Sequence, residues 1–234
     1  NYKNRSDEFH GISIAGPNSR KVLEKIVRDN VTNEKFKFRD SRRMFVGGVP
    51  AIINRISFTG ELGYEIYVAP HYQIKLYEEL MEAGKEFNIK PFGGRALMSM
   101  RLEKNWGAWT LDYRPDFTAK ETGLDMFINW DKDFIGKEKA KSENSSSKLT
   151  PLIVETNDID VTSNEAVMNG DQSIGYVTSG GFAHFVNKSV AFTFIDQNKI
   201  KSENKIQIEI NGDLFNCSVI KEPLYDPSGQ RMRS

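Results

Sequence analysis

Apolar and polar residues alternate through Phe9-His10-Gly11-Ile12-Ser13-Ile14-Ala15, the period of a half-buried strand. Gly16-Pro17 ends the alternation, and proline suits the first turn of a helix, where its missing N–H is not needed. Val22, Leu23, Ile26 and Val27 then recur at helical spacing, which predicts a helix over about residues 17–29. Residues 45–58 read as one or two strands with a turn near Gly47-Gly48. Thr59-Gly60-Glu61-Leu62-Gly63 reads as a turn, and Tyr64–Val68 as a further strand. Ile74, Tyr77, Leu80, Met81 and Phe87 mark a helix over about 71–87, and another follows Gly93-Gly94 over about 95–103.

Beyond Phe134-Ile135-Gly136 the pattern changes. Lys141-Ser142-Glu143-Asn144-Ser145-Ser146-Ser147-Lys148 is polar and low in complexity, which predicts an exposed linker or long loop. Short β-rich runs follow at Leu152–Glu155, Ser173–Thr178, Ser189–Ile195, Lys205–Ile210 and Leu214–Ile220. Asn211-Gly212 between the last two is a hairpin signal. The expected class is α+β: an antiparallel sheet with flanking helices (ferredoxin-like) over residues 1–145, then a small antiparallel β-barrel domain over 146–234.

Composition narrows the function. The 234 residues carry 32 Lys+Arg against 32 Asp+Glu, so there is no net-charge footprint for nucleic acid. At 38% hydrophobic the chain can bury a core. The single Cys217 excludes a disulfide framework or a Cys-based zinc site, and in a predicted strand it reads as a small buried hydrophobe. His10, His71 and His184 lack metal-ligand spacing, so no metal is assigned. No apolar run nears the roughly 18 residues of a membrane span, and Asn-Tyr-Lys-Asn-Arg at the start is no secretory leader. The reading is a soluble protein, cytoplasmic or, in a eukaryote, of the mitochondrial matrix. A start at Asn instead of Met points to a piece of something longer. Residues 1–60 hold 12 Lys/Arg against 6 Asp/Glu, either a solvated face or a surface that meets an anionic tail or partner.

Dinucleotide, phosphate-loop, zinc-protease and serine-hydrolase signatures are absent. Two clusters carry candidate chemistry instead. In Arg55-Ile56-Ser57-Phe58-Thr59-Gly60-Glu61-Leu62-Gly63-Tyr64-Glu65-Ile66-Tyr67, aromatic faces and a carboxylate surround a glycine-rich turn. Glu65 lies in a strand otherwise filled by Tyr, Ile and Val: pointing inward it needs a hydrogen-bond donor, pointing outward it is solvated. In the second cluster, Gly93 to Lys104, Arg95 stands near a helix start, where a cation opposes the helix dipole and a specific partner would offset that cost. Arg101 and Glu103 read as helix-surface or interdomain salt bridges. Trp106 and Trp109 could stack on a planar ligand or pack in a core.

Gly60-Glu61-Leu62-Gly63-Tyr64-Glu65 resembles the T-G-E-x-G-x-E motif of the aminomethyltransferase (glycine-cleavage T-protein) family. Ile14-Ala15-Gly16-Pro17, Val177-Thr178-Ser179-Gly180-Gly181-Phe182 and Lys188-Ser189-Val190-Ala191 are similar to it too, and the similarity runs from about Phe9 to the end. Arg95 to Lys104 with Trp106-Gly107-Ala108-Trp109, Lys132-Asp133-Phe134-Ile135-Gly136 and the Pro223 to Arg231 ending resemble the folate-binding region of dimethylglycine and sarcosine dehydrogenases. The resemblance implies a tetrahydrofolate ligand whose pterin presents a two-donor edge that a carboxylate can accept at once. It places Glu65 at the pterin and Arg95 in the folate site, with Phe58, Tyr64 and Tyr225 as further cofactor-binding candidates. Phe58 stands where the family usually has Tyr, so stacking survives there and a hydroxyl hydrogen bond does not.

The family's catalytic Asp next to the reactive folate nitrogen lies before the Gly-Pro step, in a segment this sequence does not include. The chain is therefore expected to hold part of the pocket, without its catalytic carboxylate, and to be inactive alone. The implied reaction passes a one-carbon unit from an oxidised N-methyl amine to tetrahydrofolate, giving 5,10-methylenetetrahydrofolate. FAD would enter only through a flavin domain or subunit absent from this chain. Two alternatives stay open: a T-protein-like aminomethyltransferase or other folate-dependent methyl transferase or demethylase, and a non-catalytic folate-binding module.

Overall fold

The first alternating segment forms β1 (His10–Ala15), and the Gly-Pro step leads into α1 (Ser19–Ile26). Gly16 takes φ +125°, a backbone turn that side chains rarely allow. The predicted hairpin is β2 (Ser41–Val46) and β3 (Val49–Asn54), joined through Gly47 and Gly48 at φ +56° and +78°, the conformation that a two-residue turn of this hand requires. β4 (Gly63–Val68) and α2 (Gln73–Gly84) follow, the latter flanked by 3₁₀ turns at Pro70–Tyr72 and Lys85–Phe87 that together fill the predicted helix of about 71–87. The strands pair antiparallel in the order β1-β4-β3-β2, so β1 and β2 are the edges.

One face of this sheet is the core. Ile14, Tyr64, Ile66, Ile53, Ala51, Met44 and Val46 from alternate strand positions pack with Val22, Leu23, Leu76 and Leu80 of the two helices. The opposite face carries two rows set by the register: Ser13, Glu65, Asn54 and Ser41, then Gly11, Tyr67, Ile52 and Arg43.

The computed structural model describes residues 2–156 and 159–234. Two compact units emerge, Asn1–Leu97 with Asp226–Ser234, and Met98–Tyr225. The division falls inside α3 (Gly94–Glu103), whereas the sequence placed a boundary at 145. Residues from Met98 onward join the second unit because Arg101 and the loop after it are hydrogen-bonded into the barrel. No helix among the described residues is long and apolar enough to cross a membrane.

The second unit holds α4 (Ala119–Thr122), closed by a Thr118/Glu121 capping box, and α5 (Lys137–Ser142). Its remaining strands are β5 (Ser147–Val154), β6 (Ala166–Asn169), β7 (Gln172–Ala183), β8 (Lys188–Asp196), β9 (Ile206–Ile210) and β10 (Asp213–Val219). They close an antiparallel barrel in the order β10-β5-β8-β7-β6-β9. The α+β sheet followed by a small barrel is thus the class that the sequence predicted. The polar stretch expected as a linker is only partly one. Lys141 and Ser142 end α5, while Ser147 and Lys148 pair with Asp196 and Ile195 of β8. Polar side chains are compatible with a strand whose outer face meets water. Asn211-Gly212 forms the predicted hairpin turn with φ +54° and +93°.

Candidate functional site

The loop over residues 55–62 fixes the first cluster. Gly60 adopts φ +86°, its N–H bonds the Ser57 hydroxyl at 3.1 Å, and the Glu61 N–H reaches the Thr59 hydroxyl at 3.3 Å. The Leu62 carbonyl accepts from the Gly16 N–H and the Ser19 hydroxyl, which ties the loop to the Gly-Pro step. Gly63 is tightly enclosed: a Cβ there would lie 3.1 Å from the Ile56 carbonyl oxygen, so the backbone would have to shift by a few tenths of an ångström. Both motif glycines are therefore backbone requirements. Phe58 sits half-buried on this loop. Arg55 is fully buried and donates to the Phe36 and Ser234 carbonyls and to Asn33, so it is a structural anchor of the loop.

The strand alternation separates two of the expected site residues. Tyr64 is fully buried in the helix-side core, 5.9 Å from the Phe36 ring, and burial pushes its phenol pKa up. The sequence reading set Tyr64 among the cofactor-binding candidates; its side chain lies in the core. Glu65, one residue on, leaves the open face, where its Oε2 accepts from the Tyr67 hydroxyl at 2.6 Å. This hydrogen bond and burial hold the Tyr67 phenol up at about 12. Tyr67, but not Glu65, lines a shallow hollow of about 460 Å³ together with Arg5, Phe9, Arg43, Phe45 and Ile52, with Phe45 62% exposed.

A second, more apolar cleft of about 480 Å³ runs along the free edge of β1, past Ile12, Ile14, Pro17, Tyr77, Met81 and Phe92 to Leu97. Arg95 stands exposed on the first turn of α3, between the cleft residues Gly94 and Leu97. No hydrogen bond or ion pair joins it to Glu65 among the described residues. Glu65 does not line that cleft. Tyr225 belongs to the barrel unit, its ring edge-on to Phe185 at 4.8 Å and its N–H bonded to the Glu103 carbonyl.

Arg101 and Glu103 are not surface residues. Arg101 is fully buried, donates from Nη1 to Asp112 at 2.7 Å and to the Trp106 carbonyl at 3.1 Å, and lies over the Phe192 ring. A bulge in β7 places Thr178 and Ser179, consecutive residues, so that both hydroxyls reach Asp112 Oδ1. The Ala108 N–H adds a fourth donor at 2.8 Å. Glu103 accepts the Phe185 N–H, and burial raises its carboxyl pKa. These bonds hold the loop that carries Trp109, which is 77% exposed and edge-on to Tyr113. Asp112 gave no motif signal. Tyr67 did: two residues from Glu65 in a strand, it had to share its face.

A family model described as the GCVT N-terminal domain matches residues 1–132, and one for the glycine cleavage T-protein C-terminal barrel domain matches 148–226. The chain is 33% identical to the mitochondrial dimethylglycine dehydrogenase of Homo sapiens, over 99% of its own length and 28% of that protein's. It is 30% identical to an aminomethyltransferase of Thermoanaerobacter pseudethanolicus, over 95% of its length and 61% of that protein's. The glycine cleavage system aminomethyltransferase T of Bartonella henselae shares the fold with a TM-score of 0.79 at 21% identity, covering 94% of this chain and 60% of that one. The chain therefore spans about a quarter of the dimethylglycine dehydrogenase and about three fifths of the aminomethyltransferases that it matches. Two domain models in sequence order, over residues 1–132 and then over the barrel strands, place the chain in the glycine-cleavage T-protein (aminomethyltransferase) family.

Proposed function

We propose that this chain is the tetrahydrofolate-binding region of a one-carbon transferase, with Glu65 as the acceptor of the pterin's two-donor edge. The observation that carries the reading is the Glu65 carboxylate on the open sheet face, held by the Tyr67 hydroxyl, whose own side chain lines the neighbouring hollow with Ile52. The Tyr67 hydrogen bond uses one of about four lone-pair positions of a carboxylate, so both oxygens keep acceptor capacity for a planar two-donor group. The residues present thus fit the pterin edge. Bound tetrahydrofolate would supply the nitrogen nucleophile that takes up the one-carbon unit. The chain's own residues would orient it: Glu65 by hydrogen bonding, Phe58 by stacking, and Arg95 by its charge toward the anionic end of folate. Tyr225 is a weaker candidate that rests on the resemblance of the C-terminal run. Orientation of this kind lowers the barrier by pre-organising the reacting groups.

The donor favoured is an oxidised N-methyl amine, delivered as iminium or formaldehyde by a flavin-bearing part or partner. The match to dimethylglycine dehydrogenases over 99% of the chain supports it. An aminomethyltransferase reaction is the second reading, supported by the matches over 95%. Calorimetric titration of the protein in its longest native form with tetrahydrofolate tests the binding claim. Glu65→Gln should weaken binding about 10- to 100-fold, the loss of hydrogen bonds to a charged acceptor. Unchanged affinity in that variant would refute the assignment.

A further inference from the structure

We propose that Tyr67 is a positioning residue, which holds the Glu65 carboxylate in its ligand-accepting orientation, and that Gly11 provides the space its ring needs. The proposal rests on the folate reading of Glu65 and deepens it. Glu65 and Tyr67 are two apart in β4 and share the open face. The phenol donates to Glu65 Oε2 at 2.6 Å, within the range of a hydrogen bond to an ionised carboxylate. No other hydrogen bond or ion pair reaches Glu65 among the described residues, and a Glu side chain has three rotatable bonds to wander through. With its phenol held at about 12, Tyr67 stays a donor throughout the neutral range.

The ring's place depends on β1. Gly11 is the register partner of Tyr67, and a Cβ on Gly11 would lie 3.1 Å from Tyr67 Cε1 and 3.3 Å from Cδ1. On the other side Ile52 is the partner in β3. The phenol is thus bracketed by a residue without a side chain and one with an aliphatic wall. Its hydroxyl takes a single carboxylate position and leaves the rest to a ligand with two parallel donors. The chemistry is that of a pre-oriented acceptor, in which the ordering cost is met before the ligand arrives.

The test is a double-mutant cycle read by tetrahydrofolate calorimetry on the protein in its longest native form. Tyr67→Phe keeps the ring and removes the hydroxyl, and should weaken binding about 3- to 10-fold. Gly11→Ala should weaken it in the same direction by pushing the ring. Combined with Glu65→Gln, Tyr67→Phe should add less than about twofold, because the group it positions is already gone. A merely structural pair would instead lower thermal stability and leave affinity alone. Wild-type affinity in Tyr67→Phe while Glu65→Gln is weak, or effects that simply multiply, would overturn the positioning role and leave the folate reading standing. Wild-type affinity in Glu65→Gln would overturn both.

Discussion

Replacing Asp112 with Ala removes the acceptor on which four donors of the barrel unit converge. Arg101 is as buried as its partner, both at 0% side-chain exposure, and would be left with the Trp106 carbonyl as its acceptor among the described residues. Leaving a buried charge unpaired costs about 3–5 kcal/mol. The Ala108 N–H and the Ser179 hydroxyl lose their acceptor as well, whereas Thr178 retains the Phe192 carbonyl at 3.1 Å. The reverse change, Arg101→Met, is milder. The carboxylate keeps three donors, the apolar side chain packs on Phe192, and the cost falls to about 1–3 kcal/mol. All three tryptophans, Trp106, Trp109 and Trp130, lie in this unit, so their fluorescence in a urea titration reports its unfolding. The expected order is wild type, then Arg101→Met, then Asp112→Ala, with similar slopes. Equal losses for the two variants, or a loss below about 1 kcal/mol for Asp112→Ala, would refute the claim that the carboxylate organises the loop.

Three further outcomes follow from the geometry. Tyr67 should titrate near 12 in the folded protein against about 10 unfolded. The raised value means that the stability it contributes is complete below pH 10 and lost between 10 and 12. Glu65→Gln should bring the Tyr67 signal in ¹³C-tyrosine NMR down toward 10, and an unmoved signal would exclude the carboxylate as its cause. Gly175→Ala should unfold the barrel, because its Cβ would stand 1.9 Å from the Phe194 carbonyl oxygen; a soluble variant with a wild-type melting curve would contradict this. Gly60→Ala should cost about 1–2 kcal/mol at its left-handed φ, and Gly60→Asn less, since Asn tolerates that region. Equal denaturation midpoints for the two would count against a conformational role.

The elements most legible in the sequence were those whose period is set by one buried face. β1, α1, α2 and the hairpin turns at Gly47-Gly48 and Asn211-Gly212 fall where alternation, helical spacing and glycine placed them. β6 escaped because it spans only four residues, too few for a period to show. In the candidate site, Glu65 was visible in the sequence, whereas which neighbour shares its face was not read from it. Tyr64 looked equally available, yet the twofold period of a strand sends it into the core and brings Tyr67 beside Glu65 instead. Arg101 and Glu103 read as helix-surface or interdomain salt bridges because helical charge patterns are usually solvated. Their burial depends on Asp112, Thr178 and Ser179, up to 78 residues away, and on the Phe185 N–H. Long-range pairing of that kind leaves no local spacing to read.

The central claim is that a pterin sits on Glu65. A crystal structure of the protein in its longest native form with tetrahydrofolate or a stable reduced-folate analogue addresses it directly. The pterin's ring N–H and exocyclic amine should lie at about 2.7–3.1 Å from the two Glu65 oxygens, with the Tyr67 hydroxyl still bonded to Oε2. A ligand seated instead in the apolar cleft along β1, with Glu65 touching only Tyr67, would contradict it.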